Sequence, residues 1–313
     1  MNTENHKQCI ISTLAYYDLF NYPLTLAEIN RFCHYISFNK VVTQQTIDEL
    51  IHEGVVFKTD FFYSLRDDRT LQNKRTNGNK LAEKRWKIAR PIARFISFFP
   101  YVRGVWVSGS LSKNYMEKSS DIDFFIVTEP DKLWVCRSLL ILFKKIMLLN
   151  SHKYFCVNYF IDSQSLQIPD QNIFTATELV TMVPVTNPSL YNHFKNQNQW
   201  VSQYFPFHTE NENKIKANYK KNIIQNFVEP IFNLLPVSKI DTWCMNKTVV
   251  HWRKKFNHLS EEEFNLQLRS YKTVSKHHPL GFQQKIVSAH KKNVEHFIGI
   301  MKKHQSLNKV SPL

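Results

Sequence analysis

The chain lacks any closely spaced pair of cysteines. Its five, Cys9, Cys33, Cys136, Cys156 and Cys244, are odd in number, far apart and mostly set among apolar neighbours. That excludes zinc-ribbon and CxxC redox chemistry and leads to the expectation of reduced thiols in the cytoplasm. A long uninterrupted apolar run is also missing, because the most apolar stretch, LWVCRSLLILFKKIMLL, is broken by Arg137, Lys144 and Lys145. It reads as a buried amphipathic helix, and no membrane span is expected. The opening MNTENHKQ has no basic-then-apolar signature, so no secretory leader is expected. Neither an internal repeat nor a glycine-rich linker divides the 313 residues, which hold six glycines. Acidic residues are scarce: 26 Asp and Glu against 41 Lys and Arg leave a formal charge of +15, which attracts nucleic acid, nucleotides or acidic lipids before any specific contact forms. With 43% hydrophobic and 14% aromatic residues, global disorder is excluded and more than one domain is expected.

The first 66 residues read as three short helices and a hairpin. QCIISTLAYYDLF has helical spacing and stops before Asn21-Tyr22-Pro23. LTLAEINRFCHY opens on Thr25 with Glu28 three positions on, a capping box, and VTQQTIDELIHEG repeats the device from Thr43 and ends at Gly54. VVFKTDFFYSL then gives two strands about a Lys-Thr-Asp turn. This order resembles a winged helix-turn-helix, with the helix from Thr43 as recognition helix and Phe57 to Phe62 as wing. The net acidic TQQTIDELIHE disfavours DNA phosphates and favours packing or dimerisation. Residues 67–100 are expected to form a connecting basic helix with Pro91 inside it, residues 101–207 an α/β core, and residues 208–313 a helical basic region.

The chemistry gathers in the core, in VWVSGSLSKNYMEKSSDIDFFIV. Asp121 and Asp123 put two like charges on one face at the mouth of an apolar strand, which calls for a cation between them. Gly109 and Ser110 follow the preceding strand and open a helix, where backbone N–H groups favour a phosphate, and Lys113 adds a point charge one turn on. Gly109, Ser110, Lys113, Ser120, Asp121 and Asp123 together resemble the signature of the DNA polymerase beta-like nucleotidyltransferase superfamily, in its minimal branch, over roughly residues 100–205. Here Ser112-Lys113-Asn114 stands where the family has Ala-Arg-Gly. The resemblance implies an α/β (α+β) core with a short mixed sheet and an NTP bound with Mg²⁺, or Mn²⁺ as the alternative ion. It further implies Asp121 and Asp123 as catalytic metal ligands and Gly109, Ser110, Lys113 and Ser120 as nucleotide-binding residues.

Transfer of an NMP to RNA, a small molecule or a protein is the activity it implies. Family members supply a third carboxylate from the next strand, where KYFCVNYFID offers Asn158 mid-strand and Asp162 at the strand end. The missing carboxylate keeps a second reading open, a non-catalytic nucleotide-sensing or DNA- or protein-binding regulator. Glu178 either faces the cleft or is an exposed helical glutamate. His277-His278-Pro279 reads as a turn, and the six tryptophans as core and domain contacts.

Overall fold

The computed structural model describes residues 3–33, 40–149, 151, 153–206 and 222–310, so the boundary expected at 207/208 and the last two residues of the LTLAEINRFCHY segment lie outside the described residues. Helix α1 (Thr3–Asp18) is followed by strand β1 (Leu24–Thr25), α2 (Leu26–Phe32), α3 (Lys40–His52) and the hairpin β2 (Phe57–Thr59) and β3 (Phe62–Ser64). The three strands form one antiparallel sheet in the order β1-β3-β2. Thr25 and Glu28 make the expected capping box at α2. Thr43 does not cap α3. The helix already begins at Lys40, which leaves Thr43 buried inside it with its hydroxyl donating to Asn30 Oδ1 at 2.5 Å. The cysteines also depart from expectation, since packing of α1 on the end of α2 joins Cys9 and Cys33 in a disulfide.

Helix α4 (Thr70–Ile96) runs through Pro91 and leads into a six-stranded mixed sheet. In chain order its elements are β4 (Val102–Val107), the short α5 (Gly109–Ser112), β5 (Asp123–Thr128), α6 (Leu133–Met147), β6 (Cys156–Asp162), α7 (Ile173–Thr181), β7 (Val183–Pro184) and α8 (Pro188–Gln197). Helices α9 (Ile223–Asn233), α10 (Val237–Lys255) and α11 (Glu261–Gln267) follow, then β8 (Ser270–Tyr271), β9 (Val274–Lys276) and α12 (Phe282–Val310). Strand order is β7-β4-β5-β6-β9-β8, with β5 and β6 parallel and the other neighbours antiparallel.

The region after 208 is therefore not wholly helical: the β8–β9 hairpin extends the core sheet by pairing with β6. Alternation along β4, β5 and β6 feeds two cores. Trp106 stacks on Phe125 and Phe125 on Tyr159, at 5.5 and 4.9 Å between ring centres, on the face covered by α7 and α8. Val105, Val107, Phe124, Ile126 and Phe160 fill the other face with α4, α6 and α10. Among the tryptophans, Trp243 is exposed and is not a core residue.

Long-range polar contacts tie the C-terminal helices to this sheet. Glu229 of α9 is buried in a two-bond ion pair with Arg103, both bonds 2.9 Å, and also accepts from the Tyr101 N–H. Asp241 of α10 accepts from the N–H groups of Trp134 and Val135 and so caps the free start of α6. Helix α12 returns to the N-terminal module, where His304 meets the Glu53 carbonyl and His290 the Ser12 carbonyl.

Candidate active site

One edge of the sheet collects the end of β4, the starts of β5 and β6 and the end of β9. At the end of β4 the Ser108 N–H bonds the Asp123 carbonyl at 3.1 Å, which holds the turn into α5 against the start of β5. Gly109 sits there at φ +66°, and a Cβ on it would collide with Asp123 Oδ2. The expected phosphate-holding glycine and the expected metal-binding carboxylate are thus in direct contact. Tyr22 of the N-terminal module donates to the Lys113 carbonyl at 2.8 Å and packs edge-on to Tyr115, buttressing the same turn.

Asp121 lies just before β5, and Ser120 behind it closes a turn in which its hydroxyl accepts from the Glu117 N–H. The Asp123 carboxyl has its pKa pushed up to about 7, first by burial and further by the charges of Glu178 and Asp121, against a hydrogen bond from Cys156 and the charge of Lys113. A divalent cation would relieve that repulsion. Among the described residues no three His, Cys, Asp or Glu side chains form a metal cluster. Two carboxylates with substrate phosphates completing the shell suit Mg²⁺, which keeps several of its waters and needs few protein ligands. The donor set therefore fits the ion that the sequence implies.

Strand β6 does not present its third ligand where its alternation predicts. Asp123 pairs with Cys156 and Phe124 with Val157, but Phe125 pairs with Tyr159, so Asn158 is the extra residue of a bulge. The residue beside Asp123 is the Cys156 thiol, and Asn158 Nδ2 donates to its sulfur at 2.8 Å. Asp162 is aligned with Thr128 at the far end of β5 and accepts from the N–H groups of Gln164 and Ser165 at 3.0 and 2.8 Å. It caps a turn and is not brought to the site. Asp162→Ala is expected to leave metal and nucleotide binding unchanged while costing about 1–2 kcal/mol of stability. Calorimetric titration beside urea unfolding checks this, and lost metal binding would contradict the placement.

Glu178 faces the cleft. Its carboxylate accepts from the Gly109 N–H at 3.1 Å and from Lys113 Nζ at 2.7 Å, while Lys113 also reaches the Gly109 carbonyl at 3.0 Å. The donors expected to hold phosphate are held by this carboxylate. His277 and His278 directly follow β9 at the same edge, and the His277 N–H bonds the Asn158 carbonyl at 2.9 Å. Neither position was legible without the hairpin, because its two- and three-residue strands carry too little alternation to read.

Residues 90–177 match the family model of the nucleotidyltransferase domain, consistent with a polymerase beta-like nucleotidyltransferase. The match spans Gly109 through Asn158 and stops one residue short of Glu178. No curated protein and no solved structure gives a significant match. Such a domain implies an NTP substrate and transfer of its NMP, and domains of this kind typically use divalent metals. No described helix is long and apolar enough to cross a membrane.

Proposed function

We propose that the nucleotidyltransferase domain of residues 90–177 moves an NMP from an NTP to an acceptor hydroxyl or phosphate, with Asp121 and Asp123 holding Mg²⁺. The observation that carries this reading is the contact between Gly109 and the Asp123 carboxylate, which supports a phosphate-holding turn set against one of the two metal-binding aspartates. Bound there, the ion supplies positive charge at the α-phosphate and lowers the pKa of an incoming hydroxyl.

The chain's own groups do the rest. The Gly109 and Ser110 N–H groups and Lys113 Nζ receive the β- and γ-phosphates and neutralise departing pyrophosphate. The acceptor oxygen forms its bond to the α-phosphorus as the α–β bridge breaks. Asp123 must be ionised to bind a cation, so binding weakens as pH falls through about 7. Glu178 must yield its place before phosphate reaches Gly109 and Lys113.

Removing the Glu178 charge should therefore help the substrate. Glu178→Gln is expected to tighten metal-dependent NTP binding by roughly fivefold or more, since an ion pair with Lys113 is replaced by a weaker bond from the ammonium to an uncharged amide. Titration of the four NTPs with Mg²⁺ into both proteins tests it. Weaker binding in the variant would make Glu178 a ligand of the nucleotide complex and not a competitor. Failure of the wild type to bind any NTP would overturn the function.

A second reading is supported by the Cys156 thiol and the Asn158 amide standing where a carboxylate would assist deprotonation of the acceptor. It is a nucleotide-binding regulator whose first 66 residues act as a winged-helix module. DNA is the less favoured partner, because the exposed side of α3 carries Asp48 and Glu49, the latter paired with Lys7.

A further inference from the structure

We propose that Arg137, Lys144, Lys255 and His277 form an anion subsite that takes a phosphate group of the acceptor; the word acceptor rests on the nucleotidyltransferase reading above. Arg137 and Lys144 are two turns apart on α6 and face the same way, and both are buried, at 9% and 4% exposure. Arg75, Arg103 and Arg269 each meet a carboxylate. Arg137 makes no hydrogen bond or ion pair with any described residue. Its guanidinium carbon lies 4.7 Å from the ring centre of Trp252 and 5.7 Å from that of Trp134. A buried cation without a counter-charge is a costly arrangement that a bound anion would repair.

His277 packs on the same tryptophan, its ring centre 4.8 Å from that of Trp252 and 5.9 Å from that of Phe256. His277 is fixed beside the start of β6 by its backbone bond to Asn158. Burial pushes its pKa down to about 3, and the charges of Arg137, His278, Lys255 and Lys144 push the same way. Lys144 in turn feels Cys156 and Asp121 as well as Arg137, so the patch runs up to the catalytic edge. Arg137 of α6 and His277, just past β9, thus meet at Trp252 of α10, and Lys144 and Lys255 lie near enough for their charges to act on His277.

Position decides which phosphate it suits. Gly109, Lys113 and Glu178 lie toward α7, on one side of the sheet edge, whereas Arg137, Trp252 and Lys144 belong to the α6 and α10 side. The two cradles flank the carboxylates. A donor triphosphate on the first leaves the second for the incoming group, and an arginine beside lysines and a tryptophan suits a phosphate dianion.

The test is titration of inorganic phosphate into the full chain without divalent metal. Arg137→Met is expected to weaken phosphate binding about tenfold or more, the loss of a charge-assisted contact. Lys255→Glu, at an exposed position, is expected to weaken it several-fold and decides the matter if Arg137→Met fails to fold. Metal-dependent NTP binding should stay unchanged in both, and saturation with a non-hydrolysable NTP and Mg²⁺ should leave the phosphate affinity as it was. Unchanged phosphate affinity in the variants overturns the subsite. Displacement of phosphate by the nucleotide overturns the acceptor assignment and gives the cluster to the donor triphosphate. A wild type that binds phosphate through Arg137 but no NTP supports the subsite and overturns the nucleotidyltransferase reading.

Discussion

Asp123→Asn is expected to reduce NMP transfer by about a thousandfold or more, because it removes one of two charges that hold the metal and align the α-phosphate. The fold should survive and even gain. In the folded protein the Asp123 carboxyl titrates near 7, well above an unfolded aspartate, owing first to burial and then to Glu178 and Asp121. A raised carboxyl pKa means that the proton is bound more tightly in the folded state. Its stabilising contribution is complete below about pH 4 and is lost as pH rises through about 7. The asparagine variant carries no such loss. Its thermal midpoint should therefore rise relative to the wild type between these pH values, reflecting a stability difference on the order of 4 kcal/mol at most. Added Mg²⁺ should raise the wild-type midpoint at pH 8 and leave the variant's unchanged. A midpoint difference that is flat with pH would contradict the buried, charge-crowded position assigned to Asp123.

Gly109→Ala is expected to damage both fold and site. The backbone there has φ +66°, where a Cβ is strained, and the added carbon has nowhere to go but into Asp123 Oδ2. Conformation alone costs about 1–2 kcal/mol, and displacement of the carboxylate adds to it. Transfer should fall about a hundredfold or more, since a misplacement of this size at the reacting groups is that costly. Urea unfolding and single-turnover rates measure the two effects separately. An alanine variant with wild-type turnover would show that neither the Gly109 backbone nor its contact with Asp123 serves the chemistry.

What could be read from sequence was local. Thr25 and Glu28 cap their helix through contacts three residues apart, and the Gly109-to-Asp123 motif lies within a single strand–turn–strand stretch. Pairing was not local. Counting alternate residues along KYFCVNYFID points to Asn158, but the bulge shifts the register, so the residue beside Asp123 is Cys156. Glu178 could be placed on a helix but not turned toward Lys113, since that depends on how α7 docks on the sheet. The β8–β9 hairpin, too short to show a period, was hidden in a basic helical region and took the two histidines with it. Helix α3 begins at Lys40, ahead of the Thr43 signal, because Thr43 is buried with its hydroxyl bonded to Asn30 of α2.

The most direct measurement compares NTPs labelled at the α-phosphorus with NTPs labelled at the γ-phosphorus, incubated with the wild type, Mg²⁺ and pooled cellular RNA, metabolites and protein. Nucleotidyl transfer predicts label on an acceptor from the α-labelled NTP alone, with labelled pyrophosphate from the γ-labelled one and neither from Asp123→Asn. Label passing to an acceptor from the γ-position, or equal α-label transfer by the wild type and Asp123→Asn, would contradict it.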